Sequence, residues 1–242
     1  MYYRQLFDYN SKLVDEVLKR IPRSVFRRVI EFGAGSGIFT LPLLERVYEG
    51  VDDYIVIDPY PGPYAKDRES LVKRVRDEGF QAKFHVHKTT IWDAGVELAG
   101  ADLVIGHDVF CDLTMDQVKR SMKAGRRLLS EGGYFVHSGL CPNAATPSER
   151  LLVKLDSYSS TPLVKGNWFS PGSEFLFVIS REAGYEDVGI HEVKVPLTLT
   201  GSGARALLKE WNIKDSAIRR YGEQIDRIGI EFPREQVLIC RR

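Results

Sequence analysis

Apolar positions along the chain alternate between short β-branched runs and longer stretches with helical spacing. Leu13, Val14, Val17, Leu18 and Ile21 recur at the three- and four-residue interval of one helix face, with Asn10 or Ser11 as a candidate cap and Pro22 as the stop. Val29 and Ile30 open a buried strand, and Ile38, Leu41, Leu43, Leu44 and Val47 continue as an amphipathic helix. The same alternation gives a strand at 54–58, a helix at 66–79, strands at 82–87 and 101–107, a helix at 115–130 ended by Gly132-Gly133, and a strand at 134–138. Strands separated by helix-length periodic stretches predict βαβ units and a parallel sheet.

After Gly139 the pattern loosens. Helices are predicted at 147–158, at 173–183 capped by Ser173, around 204–211 and around 215–228. A strand at 188–195 precedes the last of these, and 236–240 reads as a closing, antiparallel edge strand. Two stretches, 140–173 and 200–232, stand outside the strand–helix alternation as insertions, and residues 1–24 form an N-terminal cap on what is otherwise one domain spanning 1–242.

The first strand runs into Glu31-Phe32-Gly33-Ala34-Gly35-Ser36-Gly37, three alternating glycines between a strand and a helix. Such a turn presents free backbone N–H groups and lets a ligand approach the main chain. A dinucleotide site requires G-x-G-x-x-G, with Gly or Ala last, and Ile38 stands at that last position. Glu31-x-Gly33-x-Gly35-x-Gly37 instead resembles the first motif of class I S-adenosylmethionine (SAM)-dependent methyltransferases, E/D-x-G-x-G-x-G. Asp58, at the end of the second strand, resembles the second motif of that family; its place beside the first turn suits a carboxylate that accepts two ribose hydroxyls. The segment LLSEGGYFVHSG is similar to the family's L-x-P-G-G stretch, with Ser130-Glu131 where Lys-Pro is common.

The resemblance covers residues 28–140 and implies a three-layer αβα sandwich. Its seven-stranded sheet is mostly parallel with an antiparallel last strand, and the N-terminal helix and helical insertions cover the pocket. It implies SAM as cofactor and S-adenosylhomocysteine as product. Glu31, Gly33, Ala34, Gly35, Gly37, Asp58 and Pro59 then line the cofactor. The loop Pro59-Tyr60-Pro61-Gly62-Pro63 departs from the family's early helix start. No acid follows the third strand directly, so Asp93 or the Thr90 hydroxyl takes that place, with Ile91 or Trp92 as an apolar wall for adenine.

After the fourth strand, residues of this family face the methyl group. Here the chain reads His107-Asp108-Val109-Phe110-Cys111-Asp112, without the D/N-P-P-Y/F of amino-group methylation and without a proline beside Cys111 for cytosine chemistry. His107 and Asp108 are the candidate acid–base pair, and His107 also borders the cofactor. Orientation alone is the competing account, because the methyl donor arrives already activated. His137 reads as core or pocket wall. Tyr9, Trp168 and Phe169 are the candidate substrate contacts, and Arg205, Arg219, Arg220 and Arg227 are either solvated helix faces or a lid for an anionic substrate.

A net charge of +1 over 242 residues lends no support to non-specific nucleic-acid binding. The three cysteines are far apart with no C-x-x-C, and read as reduced thiols in a cytoplasmic protein with no metal ligand set and no membrane span. Three functions stay open: methylation of a small molecule at O, N or C; methylation of a protein or RNA, which requires an open, basic face; and a nicotinamide-dependent oxidoreductase or a SAM-binding protein without catalysis.

Overall fold

A computed structural model describes residues 2–21, 26–159 and 169–242. Helix α1 (Tyr2–Leu18) is followed by β1 (Arg28–Phe32), α2 (Thr40–Val47), β2 (Asp53–Ile57), α3 (Asp67–Asp77), β3 (Phe84–His87), β4 (Ala101–His107), α4 (Met115–Leu128) and β5 (Leu129–Leu140). Beyond it come α5 (Pro147–Asp156), α6 (Ser173–Glu182), β6 (Asp187–Val193), β7 (Thr198–Leu199), α7 (Gly201–Glu210), α8 (Asp215–Arg220), α9 (Gly222–Ile228), β8 (Ile230–Glu231) and β9 (Glu235–Arg241). Seven strands form one sheet in the order β3-β2-β1-β4-β5-β9-β6. The β3–β5 portion is parallel, and β9 runs antiparallel to both β5 and β6.

Side-chain alternation along the strands divides the core in two. Val29, Tyr54, Val56, Leu103 and Ile105 face α1, α2, α3, α5, α7, α8 and α9. Ile30, Phe32, Ile55, Val104 and Phe135 face α4 and α6. Residues of α5, α7, α8 and α9 share the first cluster with α1, so both the N-terminal segment and the late helices sit on one face of the sheet.

Several sequence expectations are corrected. The apolar face of α1 extends back through Leu6 and Tyr9 to Tyr2, so Asn10 lies inside the helix and donates to the Leu6 carbonyl at 2.8 Å rather than capping. Helix α4 stops at Leu128, where β5 begins; Gly132, at φ +73°, turns within that strand. Gly172, not Ser173, is the N-cap of α6, and Ser173 donates to Gln236 instead, at 2.6 Å. The helix expected over 215–228 breaks at Tyr221 into α8 and α9. Strand β9 is interior rather than an edge: Glu235–Cys240 is buried on both faces, as suits a central strand, while the exposed and charged β6 forms the edge.

Candidate active site

The carboxyl ends of β1, β2 and β4 open onto a cavity of about 790 Å³, within the rough 300–1,000 Å³ range of ligand pockets. Gly33 leaves β1 at φ +70° and donates to the Ile57 carbonyl at 3.0 Å. A Cβ there would lie 2.4 Å from a Val109 methyl, so only glycine fits between the turn and the loop after β4. Gly33, Ala34 and Gly35 line the cavity. Gly37 does not; a Cβ there would meet Leu71 at 2.5 Å, so its job is close packing against α3.

Asp58 fixes the turn to the end of β2. Its carboxylate accepts from Gly35 N–H at 3.0 Å and from Tyr60 N–H at 2.7 Å, one bond on each oxygen. Burial pushes its pKa up, and the two N–H bonds pull against that rise. Tyr60 takes φ +48° to close this small loop, and Pro59 next to it lines the cavity.

Glu31 is 1% exposed and accepts from the Thr40 hydroxyl at 3.1 Å and from Tyr54 at 2.6 Å. It thereby ties β1 to the start of α2 behind the glycines. Burial raises its carboxyl from 4.5 to about 7, with the two hydrogen bonds opposing. Because the folded value is the higher one, the unfolded chain ionises first as pH rises. The cost is absent below about 4.5, grows between there and about 7, and then stays near roughly 3 kcal/mol. Wild-type protein is therefore expected to lose stability relative to Glu31→Gln as pH rises from about 5 to about 8. Parallel melting-temperature profiles of the two proteins would show that Glu31 does not titrate in this window.

At the third strand, Thr90 caps a short turn over Ile91–Asp93 and its hydroxyl donates to Asp93 at 2.5 Å. Thr90, Ile91 and Trp92 line the cavity and Asp93 does not. Of the two residues expected at this place, Thr90 is the one at the cavity wall.

The end of β4 carries His107. Its ring stacks on Phe39 at 4.7 Å, Nδ1 lies 2.9 Å from Ser138 Oγ, and Nε2 lies 3.4 Å from Asp108 Oδ2. Burial lowers the imidazole pKa and Asp108 opposes the fall. Asp108 sits at φ +51°, a conformation that costs a non-glycine residue and that clusters at functional sites. Its N–H donates to the Ser138 carbonyl at 2.9 Å and its Oδ1 accepts from Leu140 N–H at 3.3 Å. His137 is core: it is stacked on Phe110 at 3.7 Å and accepts from that residue's N–H.

Tyr9 borders the cavity from α1 and donates to the buried Glu235 at the start of β9. Phe169 is 5% exposed, packs in the core and is not among the cavity-lining residues, which corrects its expected role. Trp168 lies outside the described residues. The late helices do supply a roof, through Lys209, Glu210, Trp211 and Asn212. None of the four arginines named from the sequence lines the cavity; Arg205 is paired with Asp226 at 2.7 Å. Sequence reasoning missed Glu235, whose partners lie far away in the chain. It also missed Asp112, which accepts from Tyr64 at 3.1 Å and whose carboxyl is raised to about 6 by burial.

Glu31, Asp58, Asp67, Asp108, Asp112 and Glu210 line the cavity against one described cationic side chain, Lys209. Burial raises several of these carboxyls, Glu31 to about 7 and Asp112 to about 6, and the negative charge that remains suits a cationic ligand and opposes a pyrophosphate. The glycine cradle and the remaining lone pairs of Asp58 fit a sulfonium-bearing nucleoside in the same way.

A family model described as a methyltransferase domain matches residues 2–188. The chain belongs to this methyltransferase family. It is a SAM-dependent enzyme of the class I fold. The methyltransferase is 31% identical over 127 residues to a highly reducing polyketide synthase of Penicillium polonicum, covering 52% of this chain and 5% of that protein. It is 27% identical over 128 residues to a hybrid PKS-NRPS synthetase of Aspergillus flavus, covering 53% and 3%. The chain therefore spans only a small fraction of these curated relatives. Among solved structures, the YcgJ protein of Bacillus subtilis matches with TM-score 0.65 and 12% identity over 94% of this chain and 96% of that one. A phosphoethanolamine N-methyltransferase of Haemonchus contortus, solved with phosphomonomethylethanolamine and S-adenosylhomocysteine, matches with TM-score 0.60 and 14% identity over 96% and 52%. Among the described residues no helix is long and apolar enough to cross a membrane.

Proposed function

We propose that this methyltransferase acts on a small, neutral or cationic molecule, which reaches the methyl group at the His107–Asp108 end of the cavity. The observation that carries this reading is the acidic cavity roofed by Tyr9 on α1 and by residues 209–212. A cavity walled by α1 and residues 209–212 admits a small acceptor more readily than a folded macromolecule, and its acidic lining disfavours nucleic acid and phosphorylated acceptors.

In this reading Asp58 holds the ribose hydroxyls, Gly33, Ala34 and Gly35 pass beneath the amino-acid part of the cofactor, and Pro59 bounds the ribose side. Gly37 supports the turn from behind, and Glu31 braces it while lining the cavity. Ile91 and Trp92 wall the adenine, with the Thr90 hydroxyl at its edge. Bound SAM supplies an electrophilic methyl carbon on sulfur. His107 and Asp108 face the acceptor's reacting atom and stabilise the loss of its proton or the charge that develops there. Tyr9 contacts the acceptor from above. The unpaired cysteines support a cytoplasmic setting.

The test is a screen of phenols, enols, amines and small peptides or RNA with a labelled methyl donor. Label is expected in a low-molecular-weight acceptor. Label only in protein or RNA would overturn the reading.

A further inference from the structure

We propose that His107, Asp108 and Glu235 form a site for one divalent transition-metal ion, Mn²⁺ or Zn²⁺ in kind, and that the acceptor is a molecule that chelates such an ion through oxygen. The cation site stands on these residues alone, and the acceptor class rests on the small-molecule reading above.

The sheet assembles the site from segments far apart in sequence. His107 ends β4, Asp108 follows it, and Glu235 pairs with Leu140 across the β5–β9 ladder. One ligand-capable atom from each of the three residues lies within 4.8 Å of the others. Side-chain rotations that close the widest of these separations by about 1 Å bring all three to one ion at about 2.1 Å.

Each residue is also anchored from behind. His107 Nδ1 meets Ser138 Oγ at 2.9 Å, which leaves Nε2 for a ligand. Asp108 Oδ1 takes the Leu140 N–H, which leaves Oδ2, already 3.4 Å from His107 Nε2. Glu235 Oε1 takes the Tyr9 hydroxyl, which leaves Oε2. Outer partners of this type orient metal ligands and fix the histidine tautomer.

A second observation is independent of the clustering. Glu235 is fully buried, and its Oε2 has no hydrogen-bond partner. A buried carboxylate oxygen left unpaired is costly, and a second carboxylate beside it raises the cost. Among the described residues no lysine or arginine pairs with Asp108 or Glu235; His107 is the one basic group in contact with the pair. A divalent ion removes all these costs together. One imidazole nitrogen with two carboxylate oxygens matches borderline ions better than soft, thiolate-preferring ones. Because Asp108 keeps 33% of its side chain open and lines the cavity, an acceptor oxygen can complete the coordination.

The full chain, stripped with a chelator, is titrated separately with MnCl₂ and ZnSO₄. One saturable site for at least one ion is expected, weakened at least tenfold in Glu235→Gln and less in Tyr9→Phe. No saturable binding, or equal affinity in Glu235→Gln, overturns the site. Should that variant fail to fold, Mn²⁺ broadening of imidazole resonances in the wild type decides: broadening first at His107 supports the site, and broadening first at any other histidine, such as the exposed His85 or His191, overturns it. With the ion bound, catechols and β-dicarbonyls are expected to be methylated at least tenfold faster than without it. If amines alone are methylated, the chelating class is overturned while the small-molecule reading stands. If only macromolecules are labelled, the acceptor class falls with that reading and the cation site remains.

Discussion

Replacing Asp58 with alanine is expected to weaken SAM binding by about 2–3 kcal/mol, on the order of a hundredfold, with the fold retained. The carboxylate is nearly buried and spends one lone pair per oxygen on Gly35 and Tyr60. The remaining lone pairs face the cavity, where two ribose hydroxyls can donate. Hydrogen bonds to a charged acceptor carry roughly 1.5–3 kcal/mol each, but the cost of keeping Asp58 ionised in a buried place offsets part of that. Asparagine keeps one acceptor oxygen and should fall between wild type and alanine. Calorimetry with SAM measures all three proteins; unchanged affinity in Asp58→Ala would remove this residue from the cofactor site.

The second large effect is expected at Gly33. Alanine there places a methyl group 2.4 Å from one Val109 methyl and 3.1 Å from the other, at φ +70°. Val109 follows the left-handed Asp108, so a shift of its side chain falls on the loop that carries the site. The backbone conformation alone costs about 1–2 kcal/mol. Displacement of Val109 into the cavity should lower SAM affinity and turnover at least tenfold. Gly79 provides the control: it also has positive φ, at +80°, but nothing lies within 4 Å of a Cβ built there. Gly79→Ala should lose about 1 kcal/mol of stability and leave SAM affinity untouched. Gly33→Ala with wild-type affinity would show that the turn does not approach the cofactor.

The contrast between these glycines shows what the sequence carries. The alternating glycines, the acids Glu31 and Asp58 at the first two strands and the strand–helix rhythm are local patterns, so the first half of the sheet and the position of the turn were legible. Which glycine faces the ligand was not, because that depends on Val109 and Leu71 packing from other elements. Strand order at the far end was hidden for a similar reason: β6 and β9 differ in charge, yet only their pairing shows that the last strand lies inside the sheet. Glu235 gave no signal, since it stands alone in sequence and gains its meaning from Tyr9, Asp108 and His107 across the sheet. The 200–232 insertion was legible as a cover, but its cavity-facing residues are 209–212 rather than its arginines. Arginines on short amphipathic helices look the same in sequence whether they meet a ligand or, as Arg205 does, an aspartate on the next helix.

A crystal structure of the chain with S-adenosylhomocysteine tests the account most directly. The nucleoside is expected in the cavity with both ribose hydroxyls on Asp58, the amino-acid portion over Gly33–Gly35, and the sulfur directed toward His107. A ribose bound away from Asp58, or a sulfur facing away from the end of β4, would contradict it.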